Sequence, residues 1–366
     1  MKNFKASRLV IIVILVLIFF SGCSDKKTNN NLTDNINSTA LDAIILQEET
    51  TEITTTENKI EDTAINPLTG LLINEQASKR RPIGVMINNL KPALPQSGIS
   101  QADVVYETLV EGAITRLFAV FQDFDSEKIG PIRSARHYFL DFAFDFDALY
   151  VHYGLSPQAY TAIKKYNAPS LNGLSALDSV MCYQDKNRVR PHSTYTSFEG
   201  LMAGIDYKGY NIMADSDFHN PLYFSETEYT PLEGTEASVV RLDYSGYSKP
   251  WFEFRDGYYF RYQFNQPHID EQTQEQLSYK NIIIELVDIY NIPGDNSGRL
   301  DMSLISKGNG YYITNERAIP IYWKKQSHYQ PTVYYLESGE KLLINKGKTW
   351  ISIFPSYRAD KIVFEK

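Results

Sequence analysis

The pattern of apolar and polar residues changes character three times along the chain. Leu9 to Phe20 is an unbroken apolar run, and it is followed by a long polar stretch that contains no aromatic residue. Short apolar runs then mix with longer amphipathic stretches, and the last third of the chain is rich in Tyr, Phe, Val and Ile between regular turns. These changes predict segments at 1–22, 23–64, 65–230 and 236–366.

The third segment combines two periodicities. Alternation with period two, bounded by turn residues, predicts strands, whereas the longer stretches have helical spacing. The mixture indicates an α/β domain. The predicted strands are 83–88, 103–110, 116–124 and 148–153, and the predicted helices are 132–146, 156–166 and 197–204.

The fourth segment reads as a mostly β domain. Asp256-Gly257 lies between aromatic strands and is a strong hairpin signal. Pro293-Gly294, Ser338-Gly339 and Lys346-Gly347 mark further turns. We interpret the stretch Trp251 to Phe264 as hairpin packing, with sugar stacking as the alternative. The predicted fold class is therefore α+β, with an N-terminal mixed α/β domain followed by a mostly β C-terminal domain.

The N-terminus has the features of a lipoprotein export signal. Lys2, Lys5 and Arg8 precede the apolar run as a short basic region, and Ser21-Gly22-Cys23 follows it at once. About twelve apolar residues are too few to span roughly 30 Å of hydrocarbon. We expect cleavage before Cys23 and lipid, such as palmitate, on its thiol; the alternative is an uncleaved N-terminal anchor. Either reading places the remaining chain on the extracytoplasmic face of the cell membrane.

Charge and cysteine content refine this interpretation. The net charge of the chain is −8, and residues 24–64 contain nine acidic residues and three lysines. This segment is predicted to be a disordered acidic tether. No basic stripe suggests a nucleic-acid partner. Cys182 is the only cysteine after Cys23, which excludes an intrachain disulfide in the mature protein; we expect a buried apolar role for it, with a reactive thiol as the alternative.

The densest cluster of charged residues lies between Asp103 and Arg136. Alternation along the strand that begins near Asp103 places Asp103 and Glu107 on one face, and Glu111 continues that row. Arg116 lies in the next strand. Gly130-Pro131 resembles a helix start, which would put Arg133 and Arg136 in the first turns of the helix and on the same face.

Two arginines at a helix start are unfavourable with the helix dipole and require an anion. The anion is either internal, supplied by Asp103, Glu107 or Glu111, or it is the phosphate or carboxylate of a ligand. An array of carboxylates and arginines is also able to do both.

Histidines near this cluster are further candidates. His152 ends a strand just before the predicted N-cap Ser156, so it is either a general base or a hydrogen-bonded core residue. His192 lies in a loop beside Arg190. His137, His152 and His192 lack the short spacing of a metal site, so no metal is expected. The nucleophile-elbow, phosphate-loop and dinucleotide-binding patterns are absent, and no cofactor is expected.

Several longer runs resemble the YerB-type lipoproteins of Gram-positive bacteria. They are Arg81 to Asn89, Ala102 to Glu107, Glu111 to Arg116, Ile129 to Arg136, His152 to Gly154 and Pro191-His192, and the similarity continues around Asn281 to Gly310 and Trp350. The resemblance implies an N-terminal and a C-terminal domain of unknown function behind a lipid anchor. It implies no reaction. Asn88 stands where we expect Asp in relatives.

Three hypotheses follow from these features. The first is a membrane-anchored envelope protein that binds an anionic ligand, such as a cell-wall precursor or polymer, through Arg116, Arg133 and Arg136, with His152 and His192 nearby. The second is a non-catalytic scaffold whose β domain docks a protein partner. The third is a hydrolase or transferase that uses Glu107 or Glu111 together with His152.

Overall fold

A computed structural model describes residues 62–215, 218 and 220–366 of the chain. The predicted signal peptide, Cys23 and the predicted tether as far as residue 61 lie outside the described residues. The described residues all belong to one compact unit. Its first strand begins at Thr63, within the last residues assigned to the tether.

Strands dominate the described part of the chain. Those of the N-terminal half are β1 (Thr63–Ile65), β2 (Leu72–Asn74), β3 (Ile83–Asn88), β4 (Val104–Val110), β5 (Ile114–Phe121), β6 (Leu149–His152), β7 (Ser170–Asn172), β8 (Tyr183–Gln184), β9 (Thr194–Tyr195) and β10 (Tyr223–Phe224). Those that follow are β11 (Thr235–Glu236), β12 (Val239–Leu242), β13 (Trp251–Arg255), β14 (Tyr258–Gln263), β15 (Gln266–Pro267), β16 (Ser278–Tyr279), β17 (Asn281–Val287), β18 (Ile289–Asn291), β19 (Leu300–Met302), β20 (Lys307–Thr314), β21 (Arg317–Lys324), β22 (Val333–Leu336), β23 (Leu343–Ile344), β24 (Thr349–Pro355) and β25 (Ile362–Glu365).

The helices are short and lie in the N-terminal half. They are α1 (Glu75–Ser78), α2 (Phe139–Asp145), α3 (Pro157–Lys165), α4 (Asp178–Met181) and α5 (Phe198–Lys208). Short 3₁₀ turns occupy Lys91–Ala93, Ile99–Gln101, Glu111–Ala113 and Ser356–Lys361. Of the helices in the described residues, none has the length and apolar character needed to cross a membrane.

The α+β prediction is confirmed, and so are most of the predicted elements. The predicted strands near 83, 103, 116 and 148 correspond to β3, β4, β5 and β6, and the helices near 156 and 197 correspond to α3 and α5. Asp256 and Gly257 join β13 to β14 with φ values of 51° and 83°, as a tight hairpin turn with two positive φ angles requires. Trp251 stacks on Tyr262 across this hairpin, with ring centroids 4.9 Å apart, which confirms hairpin packing for the aromatic stretch.

One sheet of eleven strands runs through both halves of the described chain. Its order is β11-β21-β20-β17-β24-β4-β5-β3-β6-β7, and β22 pairs with β21. The halves meet where β24 lies parallel to β4, with Ser352 opposite Glu107. Strand β4 is therefore central, and its residues are buried on both faces of the sheet.

Each face of this sheet supports its own apolar core. One face packs against α4, α5 and the six-stranded sheet built around β12, β13 and β14; Val105, Leu109 and Leu117 belong to this first core. The other face packs against α2 and α3, and Tyr106 and Phe118 belong to this second core. Alternation along β4 and β5 thus decides which core each side chain enters.

Glu107 forms a fully buried ion pair in the first core. Arg261 Nη2 of β14 donates to Glu107 Oε2 at 2.9 Å, and both side chains are inaccessible to solvent. Asn89 Nδ2 and Thr115 Oγ1 donate to the second carboxylate oxygen at 3.1 and 2.8 Å. This network connects β3, β4 and β5 of the large sheet to the six-stranded sheet.

Glu285 on β17 is a second buried carboxylate. Tyr334 Oη donates to Glu285 Oε1 at 2.7 Å, and in the described residues no cation lies within ion-pair distance of it. Burial raises the pKa of Glu285 to about 8. Between pH 4.5 and about 8, the folded protein therefore keeps the Glu285 carboxyl protonated, whereas the unfolded chain releases this proton.

Replacing Arg261 tests the buried ion pair. Arg261→Met removes the cation that is paired with the buried Glu107 carboxylate, so we expect the free energy of unfolding to fall by about 3–5 kcal/mol. The matched control is Arg241→Met, because the Arg241–Glu365 pair is exposed at the surface; it should cost less than about 1 kcal/mol. Urea denaturation measures both. Equal losses in the two variants would contradict the assignment.

The pKa of Glu285 predicts a pH-dependent stability. Because the folded pKa of about 8 exceeds the ordinary value of 4.5, this group stabilises the fold at low pH, and that contribution is lost as the pH rises toward 8. The loss is at most about 1.4 kcal/mol per pH unit. In Glu285→Gln the free energy of unfolding should fall less steeply between pH 6.5 and 8 than in the parent. Identical slopes in urea denaturation would refute this explanation.

Candidate functional site

The segment Ile129 to Arg136 is extended, so the prediction of a helix starting at residue 132 is wrong for 132–138. Its backbone groups bond to neighbouring segments instead of to one another. Ile132 N donates to Thr194 O at 2.8 Å, and Arg133 N donates to Met86 O at 2.9 Å. The helix begins only at Phe139. Arg133 and Arg136 are consequently not held at a helix start.

Arg116 enters the second core, on the opposite side of the sheet from Glu107. In the register of the sheet, Arg116 lies opposite Thr108 of β4 and Asn88 of β3. Directly paired residues of neighbouring strands point to the same face, whereas Glu107 is paired with Leu117 on the other face. The predicted pairing of the arginines with Glu107 is therefore wrong, because the sheet separates them.

Arg116 is buried without a carboxylate partner. Its side chain is 4% exposed, and its hydrogen bond runs from Nη1 to Ser134 O at 2.6 Å. Among the described residues, no carboxylate oxygen lies within 4.0 Å of it. Burial, and then the charges of Arg136 and Arg133, lower the pKa of Arg116 to about 9. The guanidinium therefore keeps its charge at neutral pH.

Arg136 is neutralised by Glu111. Arg136 Nε donates to Glu111 Oε2 at 2.9 Å, and Arg136 Nη2 bonds to the second oxygen of the same carboxylate. Burial acts to raise the pKa of Glu111, but the hydrogen bonds and charge of Arg136 outweigh it and bring that pKa to about 2. The internal pairing predicted for Glu111 is confirmed. The 3₁₀ turn at Glu111–Ala113 ends the strand alternation and allows Glu111 to contact Arg136.

Arg133 completes a cluster of three arginines. Its Nη1 donates to Pro191 O at a long 3.4 Å, and its Nε is buried with no hydrogen-bond partner in the described residues. Burial and then the charge of Arg136 lower the pKa of Arg133. We call Arg116, Arg133 and Arg136 the arginine cluster. With Glu111 as its paired carboxylate, the cluster carries a surplus of two positive charges.

His192 lies beside the arginine cluster. Its Nδ1 is 2.8 Å from Asn88 Nδ2, which donates to it. Burial, followed by the charges of Arg133 and Arg188, lowers the pKa of His192. Asn88 and the carbonyl of Ser134, which sequence reasoning did not assign to the site, therefore help to line it; only the three-dimensional register reveals them.

His152 belongs to the core and not to the cluster. Its Nδ1 is 2.8 Å from Gly154 O, and its Nε2 is 2.7 Å from Ser170 Oγ. The carbonyl fixes the proton on Nδ1, so Nε2 accepts from the hydroxyl. Burial lowers the pKa of His152 to about 4. Both ring nitrogens are used, and the ring remains neutral.

The catalytic arrangement with Glu107 and His152 is not formed. Strands β5 and β3 separate β4 from β6, so the two residues are three strand spacings, or about 14 Å, apart. Glu107 is held by Arg261, and Asp103 accepts from Asn66 Nδ2 and Gln122 N at 2.9 and 2.8 Å. Of the three residues predicted as catalytic candidates, Glu111 is the one that contacts the arginines, through Arg136.

His137 and Cys182, the remaining residues that the sequence analysis considered, have separate surroundings. His137 Nε2 is 2.9 Å from Asp301 Oδ1. The described residues contain no group of three or more His, Cys, Asp or Glu side chains that would hold a metal ion. Cys182 is half-buried, and burial raises the pKa of its thiol to about 12.

Two family models and two comparisons with individual proteins place the chain among known proteins. Residues 68–211 match the family described as "Protein of unknown function (DUF3048) N-terminal domain", and residues 240–351 match the C-terminal domain of the same family. The protein named "Putative lipoprotein YerB" of Bacillus subtilis (strain 168) is 34% identical over 301 residues, which cover 81% of this chain and 88% of that protein.

The fold comparison agrees with the sequence comparison. The crystal structure of YerB protein from Bacillus subtilis matches with a TM-score of 0.73 and 33% sequence identity, over 82% of this chain and 99% of that one. The resemblance seen in the sequence motifs is thus confirmed. The chain belongs to the DUF3048 family of YerB-type lipoproteins and contains both of its domains.

Proposed function

We propose that this protein is a membrane-anchored lipoprotein on the extracytoplasmic face that binds an anionic ligand of the cell envelope through the arginine cluster. The lipoprotein name of the Bacillus subtilis relative and the Ser21-Gly22-Cys23 motif support the lipid anchor on Cys23. The observation that carries the binding proposal is the burial of Arg116 without a carboxylate partner in the described residues.

An uncompensated buried cation is expensive for a folded protein. Removing a charge from water costs several kcal/mol, and a nearby counter-ion is the usual compensation. Here Glu111 bonds to Arg136 and attracts Arg116 and Arg133 only from a longer distance, and among the described residues neither of these two arginines has a carboxylate within ion-pair distance. Binding of an external anion between these arginines would therefore reduce their repulsion and stabilise the folded protein.

The donors at the cluster suit a phosphate or carboxylate group. Arginine presents planar pairs of N–H donors that match the spacing of anionic oxygens. The buried Arg133 Nε has no acceptor in the described structure, and the cluster lies beside His192. A cell-wall precursor or polymer that carries phosphate or carboxylate groups is therefore the ligand class that we propose.

Replacing Arg116 separates a binding role from a structural one. In the detergent-solubilised full chain, inorganic pyrophosphate at 100 times its Kd should stabilise the parent by about 2.7 kcal/mol. Arg116→Met should abolish this stabilisation. Without pyrophosphate, the variant should be as stable as the parent or more stable, because it removes a buried unpaired charge. Thermal unfolding with and without pyrophosphate measures both effects.

The matched control is Arg190→Met. Arg190 is an exposed arginine two residues from His192, so this variant removes the same formal charge near the site without altering the cluster. It should retain the response to pyrophosphate. If Arg116→Met strongly destabilised the unliganded protein and left the pyrophosphate response unchanged, Arg116 would be structural and the proposal would be wrong.

A further inference from the structure

The hairpin that begins the described chain exposes three large apolar side chains. Leu72 is 67% exposed, Ile65 is 56% exposed and Leu71 is 48% exposed. Ile65 and Leu72 are direct cross-strand partners of β1 and β2, so they share one face and are neighbours. Ala64 and Ile73, on the other face, are half-buried. Ile65 and Leu72 therefore form an exposed apolar pair on the outward face of the β1–β2 hairpin, beside the cross-strand pair Thr63 and Asn74, and Leu71 directly before Leu72 is exposed as well.

This apolar face lies where the predicted tether joins the folded body. Strand β1 starts at Thr63, and Cys23 lies 39 positions before Asp62. The hairpin is thus the first described element after the proposed anchor, so lipid on Cys23 would tie this end of the described chain to the membrane surface. Three side chains are too few to hold a free protein on a membrane, but the tether makes the contact intramolecular.

The hairpin and the arginine cluster lie at opposite ends of the central strands. Asn66 and Asn74 connect the hairpin to the start of β4 and the end of β5, through bonds from Asn66 Nδ2 to Asp103 and from Asn74 N to Asp123, 2.9 and 3.3 Å long. Glu111 and Arg116 lie at the other end of these strands. From Asp103 to Glu111 is eight residues, which corresponds to about 27 Å along a strand.

We infer that Ile65, Leu71 and Leu72 contact the lipid bilayer and thereby orient the folded body. The arginine cluster then lies at the end of the central strands that is farther from the membrane. The inference rests on the proposed lipid anchor at Cys23 and not on anion binding. It adds a constraint on the ligand. A cluster about 27 Å beyond the membrane contact meets anionic groups of a polymer or of a long precursor, and not the headgroup of a lipid in the same bilayer.

Quenching by spin-labelled lipid tests this orientation. The lipidated full chain is reconstituted in vesicles of phosphatidylcholine and phosphatidylglycerol that contain phosphatidylcholine with a nitroxide near its headgroup. Of the three natural tryptophans, Trp323 and Trp350 are buried and Trp251 is half-buried, so the unsubstituted chain in the same vesicles gives the background to subtract. In Leu72→Trp the nitroxide should roughly halve the added fluorescence, because an interfacial side chain lies within the headgroup region. Ile65→Trp repeats the test at the cross-strand partner.

The matched control is Tyr357→Trp. Tyr357 is also 67% exposed, and it follows the end of β24, at the same end of the parallel strands β4 and β24 as Glu111. Its added fluorescence should not respond to the nitroxide. Equal quenching of Leu72→Trp and Tyr357→Trp, or no quenching of the two hairpin variants, would overturn the inference.

Flotation of the vesicles keeps the anchor and the orientation separate. The parent chain should float with the vesicles, and Cys23→Ser should not. Failure of the parent to float would refute the proposed anchor. A parent that floats, while its Leu72→Trp and Ile65→Trp variants show no quenching, would refute only the membrane contact of the hairpin.

Discussion

Alternation of side chains across a β-sheet is the constraint on which this structure depends. Strand β4 points Glu107, which is paired with Leu117 of β5, into the first core, while Arg116, the neighbour of Leu117 along β5, points into the second. The sheet therefore keeps the most buried acid and the most buried arginine of the N-terminal half apart. Glu107 is paired with Arg261 from β14 of the C-terminal half, whereas no carboxylate of the described residues lies within ion-pair distance of Arg116. This separation has two consequences. The Glu107–Arg261 pair links the N-terminal half to the C-terminal half, and Arg116 contributes a positive charge to the arginine cluster that no ion pair balances.

The two buried charges have opposite consequences. Glu107 and Arg261 compensate each other, and hydrogen bonds from Asn89 and Thr115 satisfy the remaining carboxylate oxygen, so this network is structural. Arg116 is bonded to a carbonyl and lies beside two further arginines, an arrangement that costs stability. Sites that depart from the most stable arrangement are often the functional ones. The proposed anion-binding role would explain why the protein keeps an arrangement that lowers its stability.

Local patterns in the sequence predicted most of the fold. Alternation located β3 to β6, and the Asp256-Gly257 turn located the β13–β14 hairpin, because both signals depend on neighbouring residues only. The parallel pairing of β4 with β24 joins residues more than 240 positions apart, and no local pattern reports it. The helix predicted from residue 132 failed for a similar reason, since strands distant in the sequence bind the backbone of Ile132 and Arg133.

The candidate site was predictable only in part. Arg116, Arg133 and Arg136 are close together as the sequence suggested, and Glu111 pairs with one of them. The structural role of Glu107 was not predictable, because its partner Arg261 lies in the other half of the chain. His152 ends a strand, as predicted, but its two ring bonds make it a core residue. Residue spacing predicts proximity along a strand, whereas charge compensation depends on contacts between distant segments.

The position of a bound anion tests the central claim most directly. Crystals of the protein soaked in selenate, an anion with oxygen geometry close to that of phosphate, would show its selenium atom by anomalous scattering. The account predicts a peak between the guanidinium groups of Arg116 and Arg133, with selenate oxygens within about 3 Å of their nitrogens. A map with selenate bound elsewhere and none at these arginines would contradict it.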